Sequence, residues 1–180
     1  QKLALNNKQK ETAVTNIIAQ QFRDLSKIQD GRDAEIKKVK DKSSLAKEKQ
    51  NAEIEKLKSD ADKSIDKLHK AYLKKLATQL NGAKITEVKD GMTYGVLPIT
   101  VTAYNDMIPT LTKEEKEYIY NSLVEARELA MDGGSSKEKH AWFGKYKGRI
   151  NNYLSAAGYD LKKEGVEWEK RRKAAAAAKN

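Results

Sequence analysis

Apolar residues recur every three or four positions through the first eighty residues, which is the spacing of one face of an α-helix. The pattern predicts a first helix over Asn6–Gln29, ended by Asp30-Gly31, since glycine adopts a left-handed C-cap without steric cost. A second helix, free of proline and glycine, is predicted over Asp33–Leu80, with a weak point at Ser43-Ser44. Because so polar a helix needs a partner face, we expect the two to pack as an antiparallel hairpin.

The pattern changes after Asn81-Gly82. Polar and apolar residues alternate over Lys84–Val88, Asp90-Gly91 suits a tight two-residue turn, and Met92–Tyr104 is rich in Thr, Val, Ile and Tyr. These are the signals of a β-hairpin, and because Gly95 and Pro98 interrupt its second arm, we expect that arm to be bulged or to lie at a sheet edge. We therefore expect a small antiparallel sheet from residue 84 to residue 104, covered on one face by helices.

Three further helices are predicted after the sheet. Thr112-x-x-Glu115 and Ser135-x-x-Glu138 are capping boxes that start two of them, and Asp160 can cap the last. The predicted fold class is mainly α (α+β). Residues 1–81 form a long helical hairpin that resembles a coiled coil, and residues 82–180 form a small sheet with a C-terminal three-helix group.

The helix that begins after Ser135 has the most informative pattern. One arc of roughly 120° carries its aromatic and aliphatic residues: Trp142, Phe143, Tyr146, Ile150, Tyr153, Leu154 and Ala157. Lys145, Arg149 and Asn152 follow directly beside Trp142 on the helical wheel. We assign Phe143, Ile150 and Leu154 to the core, whereas Trp142 and Arg149 lie at the boundary between core and surface.

Two other features of these helices call for an explanation. Gly144, Gly148 and Ser155 form a strip of small residues, from which we expect another helix to cross closely at this face. In the preceding helix, Arg127 lies inside the apolar arc. Because a guanidinium keeps its charge when buried, Arg127 forms either an internal ion pair or a contact with a ligand anion.

The chain carries a formal charge of +10, and 34% of its residues are charged. Most of the excess charge lies before residue 81, where lysines and acids interleave as in a solvated, salt-bridged helix. Few aromatic residues stand there to stack bases, so we do not expect nucleic acid as a partner. No apolar run is long enough to cross a bilayer. The first residue is Gln1, which is consistent with removal of a leader or with a fragment.

Catalytic and metal signatures are missing from the sequence. There is no cysteine, and His69 and His140 have no second ligand at metal-binding spacing, so we expect no metal and no cofactor. No nucleophile motif is present either, and we assign no catalytic residue, which favours a protein that is not an enzyme. Glu125, Asp132 and His140 leave open a glycan-active hydrolase as a third hypothesis.

A carbohydrate site uses the available residues best. Sugar rings pack on aromatic faces, and their hydroxyl groups need amide and cationic partners. The predicted ligand-binding residues are Trp142, Tyr146, Arg149, Asn152, Arg127 and Lys145. The main hypothesis is non-catalytic carbohydrate recognition. The alternative is a helical scaffold without a ligand site, which binds a protein partner or self-associates through its N-terminal helices.

Two strings in the C-terminal half also carry a family resemblance. VEARELAMD (Val124–Asp132) and KHAWFGKYKGRINNYLSAAGYDL (Lys139–Leu161) lie within Leu111–Lys173, a stretch that resembles a family of exported proteins from glycan-degrading bacteria. That family is described as a domain of unknown function with a sugar-binding label. The resemblance implies a periplasmic or secreted accessory protein of glycan utilisation, and it carries over no catalytic residues.

Overall fold

The structure, a computed structural model, describes Leu3, Leu5, residues 7–42 and residues 46–178. Seven α-helices and no strand occur in these residues. The helices are α1 (Lys8–Asp41), α2 (Lys47–Ala77), α3 (Gly82–Met92), α4 (Val96–Met107), α5 (Lys113–Met131), α6 (Ser136–Ala156) and α7 (Leu161–Ala177).

The predicted sheet over residues 84–104 is wrong, because α3 and α4 occupy this stretch. Asp90-Gly91 lies inside α3, and the turn falls instead at Tyr94 and Gly95, both left-handed, with φ of 59° and 67°. Pro98 lies in the first turn of α4, where the backbone N–H that proline lacks has no helical acceptor in any case. The fold class is therefore all-helical over the described residues and not α+β.

Tertiary burial explains why β-rich composition forms a helix here. Leu97, Tyr104 and Ile108 are buried and Val101 is half-buried, a spacing of three to four residues that forms one helical face. Burying that face outweighs the strand preference of the β-branched residues around it. Upstream, the Asn81 side chain accepts a hydrogen bond of 2.9 Å from the Lys84 amide and so caps α3.

The chain divides into two compact units, Gln1–Val88 and Lys89–Asn180, with the boundary inside α3. In the first unit α1 packs against α2 and runs antiparallel to it. The predicted helix end at Asp30-Gly31 is wrong, since α1 continues to Asp41. The single helix predicted over Asp33–Leu80 is likewise two helices, and the weak point at Ser43-Ser44 lies outside the described residues.

The hairpin of the first unit has a mixed seam. Apolar residues such as Val14, Leu25 and Val39 are each 3% exposed, but Gln21 is buried among them. Near the connection, the Gln50 side chain donates to the Lys42 carbonyl at 2.8 Å, and Lys42 pairs with Glu53 at 3.6 Å. Polar contacts thus join the end of α1 to the start of α2, in a hairpin that buries few apolar residues.

In the second unit α5 and α6 form an antiparallel pair that carries most of the core, with α4 and α7 packed beside them. The buried cluster contains Leu97, Tyr104, Ile108, Leu111, Ile119, Leu123, Ala126, Ala130, Phe143, Tyr146, Ile150 and Leu154. The assignment of Phe143, Ile150 and Leu154 to the core is confirmed. These contacts fix α6 and therefore the direction in which its other faces point.

Local hydrogen bonds start the C-terminal helices where the sequence predicts. The Thr112 hydroxyl and the Glu115 side chain form the complete capping box of α5. Ser135 accepts from the Glu138 amide at α6, although the Glu138 carboxylate accepts from the Gly134 amide and not from Ser135. Asp160 accepts from two amides at the start of α7. These starts are encoded in a few neighbouring residues.

The predicted close helix crossing at the small-residue strip is wrong. A methyl group added at Gly144 or Gly148 would meet nothing within 4 Å, so both glycines face open space. Crowding occurs instead at Gly133, between α5 and α6. A methyl group there would lie 3.1 Å from Cγ and 3.2 Å from the backbone N of Lys139.

Candidate functional site

One side of the α5/α6 pair gathers aromatic and charged side chains, and we call it the aromatic edge. It consists of Trp142, Lys145, Tyr146, Arg149 and Tyr153 of α6, with Tyr118 and Glu125 of α5. The α6 members recur every three or four residues, so they follow one stripe of that helix. At about 1.5 Å per residue the stripe from residue 142 to residue 153 is roughly 16 Å long.

Trp142 lies at the boundary of core and surface. Its indole is half-buried against the core cluster, and the Lys145 Nζ atom lies 5.0 Å from the ring centroid. Lys145 itself is exposed. The ring is therefore partly open to solvent, and the group over it is a flexible side chain.

Tyr146 is more enclosed, with 3% of its surface exposed. The Arg149 guanidinium carbon lies 4.6 Å from its ring centroid. Burial raises the pKa of Tyr146, the Glu125 carboxylate beside it raises the pKa further, and Arg149 acts in the opposite direction. A carboxylate, a phenol and a guanidinium thus meet at the middle of the aromatic edge, with Arg149 and Glu125 exposed.

Tyr118 and Tyr153 form the far end of the aromatic edge. Their rings stack with centroids 3.9 Å apart and planes inclined by 24°. Tyr118 is 38% exposed, so the stacked pair has a solvent-facing side. Asn152, the remaining predicted residue of α6, is exposed next to Tyr153 in sequence.

Arg127 makes different contacts from the other predicted ligand-binding residues. Its side chain is 6% exposed and donates from Nη1 to Asp90 at 2.8 Å, and Glu128 lies 3.4 Å from Nη2. Lys89 pairs with Glu128 at 2.6 Å, which extends the cluster. Among the two explanations for a buried arginine, this geometry supports the internal ion pair.

The residues of the hydrolase hypothesis lie at different positions along α5 and α6. Glu125 lies at the aromatic edge, and Asp132 ends α5. His140 is exposed, donates from Nδ1 to the Ser136 carbonyl at 2.8 Å, and stacks on Tyr94 at 5.5 Å. In the described part of the chain, no three potential ligands gather to hold a metal ion.

Sequence reasoning missed two contacts between helices of this unit. Arg171 belongs to a basic cluster of α7, Lys170–Lys173. It donates to the carbonyls of Asp106 and Met107 at 2.9 and 3.0 Å and so caps the end of α4. Tyr104 donates to Asn151 at 2.7 Å, beside a surface groove of about 290 Å³ between α4 and α6. No sequence signal specifies either pair, since both depend on which helices become neighbours.

The described chain is thus an all-helical protein with a mixed aromatic and charged edge, and none of its described helices has the length and apolar composition needed to cross a bilayer. Residues 1–174 match the family model described as "Protein of unknown function (DUF3826)". The chain belongs to this family. No curated protein matches it.

Proposed function

We propose that this protein binds a carbohydrate without chemically changing it, and that the aromatic edge is the binding surface. The observation that supports this best is the half-buried indole of Trp142 beside the exposed side chains of Lys145 and Arg149. An indole offers an apolar face to the C–H groups of a sugar ring, and the two cations offer donors to its hydroxyl groups.

The polar partners lie within reach of the same stripe. Lys145, Arg149 and Asn152 recur at three- and four-residue spacing, so they share one side of α6. Glu125, across on α5, adds a hydrogen-bond acceptor. The edge therefore combines donors, an acceptor and an apolar surface, as recognition of a polyhydroxylated ring requires.

In this structure Lys145 and Arg149 rest over the rings, so a bound sugar has to share or displace them. An exposed cation–π contact contributes only about 0.5–1 kcal/mol, and both side chains are exposed. Their displacement is therefore a small cost. Tyr146 is buried beneath Arg149, and we assign it a supporting role that positions the guanidinium.

The resemblance of Val124–Asp132 and Lys139–Leu161 to exported proteins of glycan-degrading bacteria supports the same proposal. On that basis we propose a periplasmic or secreted protein that assists glycan utilisation. Fractionation of the natural host cells tests this part separately. Recovery with cytoplasmic markers would contradict it.

Binding to a glycan array tests the proposal, with Trp168→Ala as a matched control. Trp168 is also half-buried, and its ring has the Arg172 guanidinium at 5.1 Å, so both substitutions remove an indole that contacts a cation. We expect Trp142→Ala to weaken binding by about tenfold or more and Trp168→Ala to leave it unchanged. A wild-type protein that binds no glycan would contradict the proposal and favour the scaffold alternative.

A further inference from the structure

A groove of about 290 Å³ lies between α1 and α2 in the first unit, separate from the residues of the aromatic edge. The wall of the groove includes the buried ring of Tyr72, which is 2% exposed. Its polar lining includes Gln20, Gln21, Arg23 and Lys75. The volume is near the lower limit of small-molecule pockets, so it suits a single ring or a molecule of similar size.

Gln21 is the unusual residue of this groove. It is only 3% exposed, at a seam position flanked by Val14 and Leu25, where an apolar residue would be expected. Its Nε2 atom is buried without a hydrogen-bond partner among the described residues. A buried donor left unpaired costs about 1–3 kcal/mol, which an oxygen atom of a ligand in the groove would recover.

Charged groups beside Gln21 define the class of ligand. Gln20 donates to Asp24 at 2.8 Å, and its Oε1 accepts from Nε and Nη2 of Arg23 at 3.2 and 2.9 Å. These bonds hold the Arg23 guanidinium beside the groove and do not involve its Nη1 atom. Asp24, the acidic residue of the lining, already accepts a hydrogen bond from Gln20. Lys75 contributes a second cation from α2. The lining therefore has an excess of positive charge around an unpaired donor.

We propose that this groove binds a small organic carboxylate built on a single ring. The carboxylate oxygens accept from Gln21 Nε2, Arg23 and Lys75, and the ring packs against Tyr72. A carboxylate fits better than a neutral hydroxyl group because it accepts several bonds at once and offsets the two cations. This site is additional to the proposed saccharide edge and does not depend on it.

Isothermal titration of the full chain carrying Trp142→Ala tests the ligand class with three probes, because this substitution removes the indole of the proposed saccharide edge. D-Glucuronate and cyclohexanecarboxylate each carry a carboxylate on a six-membered ring, whereas D-glucose keeps the sugar ring without the charge. We expect at least one acid to bind and glucose not to bind here. Binding of glucuronate alone identifies sugar acids as the ligands, and binding of both acids identifies an apolar ring. Failure of both acids, or equal binding of glucose, would overturn the proposal.

Two variants locate the binding in this groove. Gln21→Leu removes the unpaired donor and should weaken acid binding by about tenfold or more while the protein stays as stable as the wild type. Gln29→Leu changes another buried amide of the same seam, outside the groove lining, and should leave acid binding unchanged. Acid binding that survives Gln21→Leu would overturn the assignment. The side-chain amide signal of Gln21 in an NMR titration provides a second readout, and it should shift with the acid and not with glucose.

Discussion

The guanidinium of Arg127 donates from Nη1 to Oδ1 of Asp90 over 2.8 Å and so ties α5 to the last turns of α3. Arg127 also contacts Glu128, and Glu128 pairs with Lys89. Two cations and two acids therefore alternate in one cluster. The side chain of Arg127 is nearly enclosed, and a guanidinium group remains charged when it is buried. Asp90 and Glu128 are therefore needed for Arg127 to occupy this position.

Removing Arg127 should destabilise the protein. We expect Arg127→Met to lower the free energy of unfolding by about 3 kcal/mol, because Asp90 loses its partner in a partly buried site. Urea denaturation followed by circular dichroism measures the change. The control is Arg149→Met, at an exposed position, for which we expect less than about 1 kcal/mol. Equal losses in the two variants would contradict the ion-pair role.

Alanine substitution at three glycines of the second unit should change stability in opposite directions. Gly144 and Gly148 lie within α6 and face open space, so alanine at either position should stabilise the protein by about 0.5–1 kcal/mol. Gly133→Ala should destabilise it by about 1–2 kcal/mol, since the added methyl group meets the backbone of Lys139. Thermal unfolding of the three variants measures the signs. Destabilisation at Gly144 or Gly148 would contradict the open surroundings of these two glycines.

Tyr104 should make stability depend on alkaline pH. Burial raises its pKa to about 12, above the ordinary value of about 10, so the folded protein holds the phenol proton more tightly than the unfolded chain. The contribution of this tighter proton binding to the free energy of unfolding is complete below about pH 10 and is lost as the pH rises through about 12. Allowing for solvent screening beside the groove, we expect a loss of about 1–2 kcal/mol.

Urea denaturation between pH 9 and 12 measures this dependence. Tyr104→Phe should flatten the decline relative to the wild type, although it also removes the 2.7 Å hydrogen bond to Asn151. Tyr120→Phe is the control, because Tyr120 is 47% exposed and should leave the slope unchanged. A Tyr104→Phe slope equal to that of the wild type would show that the phenol titrates normally.

The basic cluster of α7 should contain one structural residue. Arg171→Ala removes two hydrogen bonds to the end of α4 and should lower the free energy of unfolding by about 1 kcal/mol. Arg172→Ala changes the neighbouring cation, which contacts Trp168 over its ring, and should cost less than about 0.5 kcal/mol. Chemical denaturation of both variants gives the comparison. Equal costs would contradict the capping role of Arg171.

Local chemistry explains which parts of the fold could be predicted. The helix starts at Thr112, Ser135 and Asp160 are confirmed, because a cap depends on side chains within three residues. The predicted sheet was wrong because the turn signal of Asp90-Gly91 and the β-branched residues after it were given more weight than the helical spacing of Leu97 and Tyr104. That spacing becomes decisive only once the buried face of α5 and α6 is known.

The candidate site likewise contains some contacts that the sequence could predict and others that it could not. Trp142, Lys145 and Arg149 belong to one helix, so their proximity follows from periodicity alone. Glu125 and Tyr118 join them through the register between α5 and α6, which no local pattern encodes. The groove at Gln21 likewise depends on how α1 pairs with α2.

Fluorescence of single-tryptophan proteins tests the central claim most directly. Trp168→Phe leaves Trp142 as the only indole, and Trp142→Phe leaves only Trp168. With the oligosaccharide that binds best on the array, we expect the Trp142 emission to shift and to become less accessible to acrylamide, while the Trp168 emission stays constant. A saturable change at Trp168 with none at Trp142 would contradict carbohydrate binding at the aromatic edge.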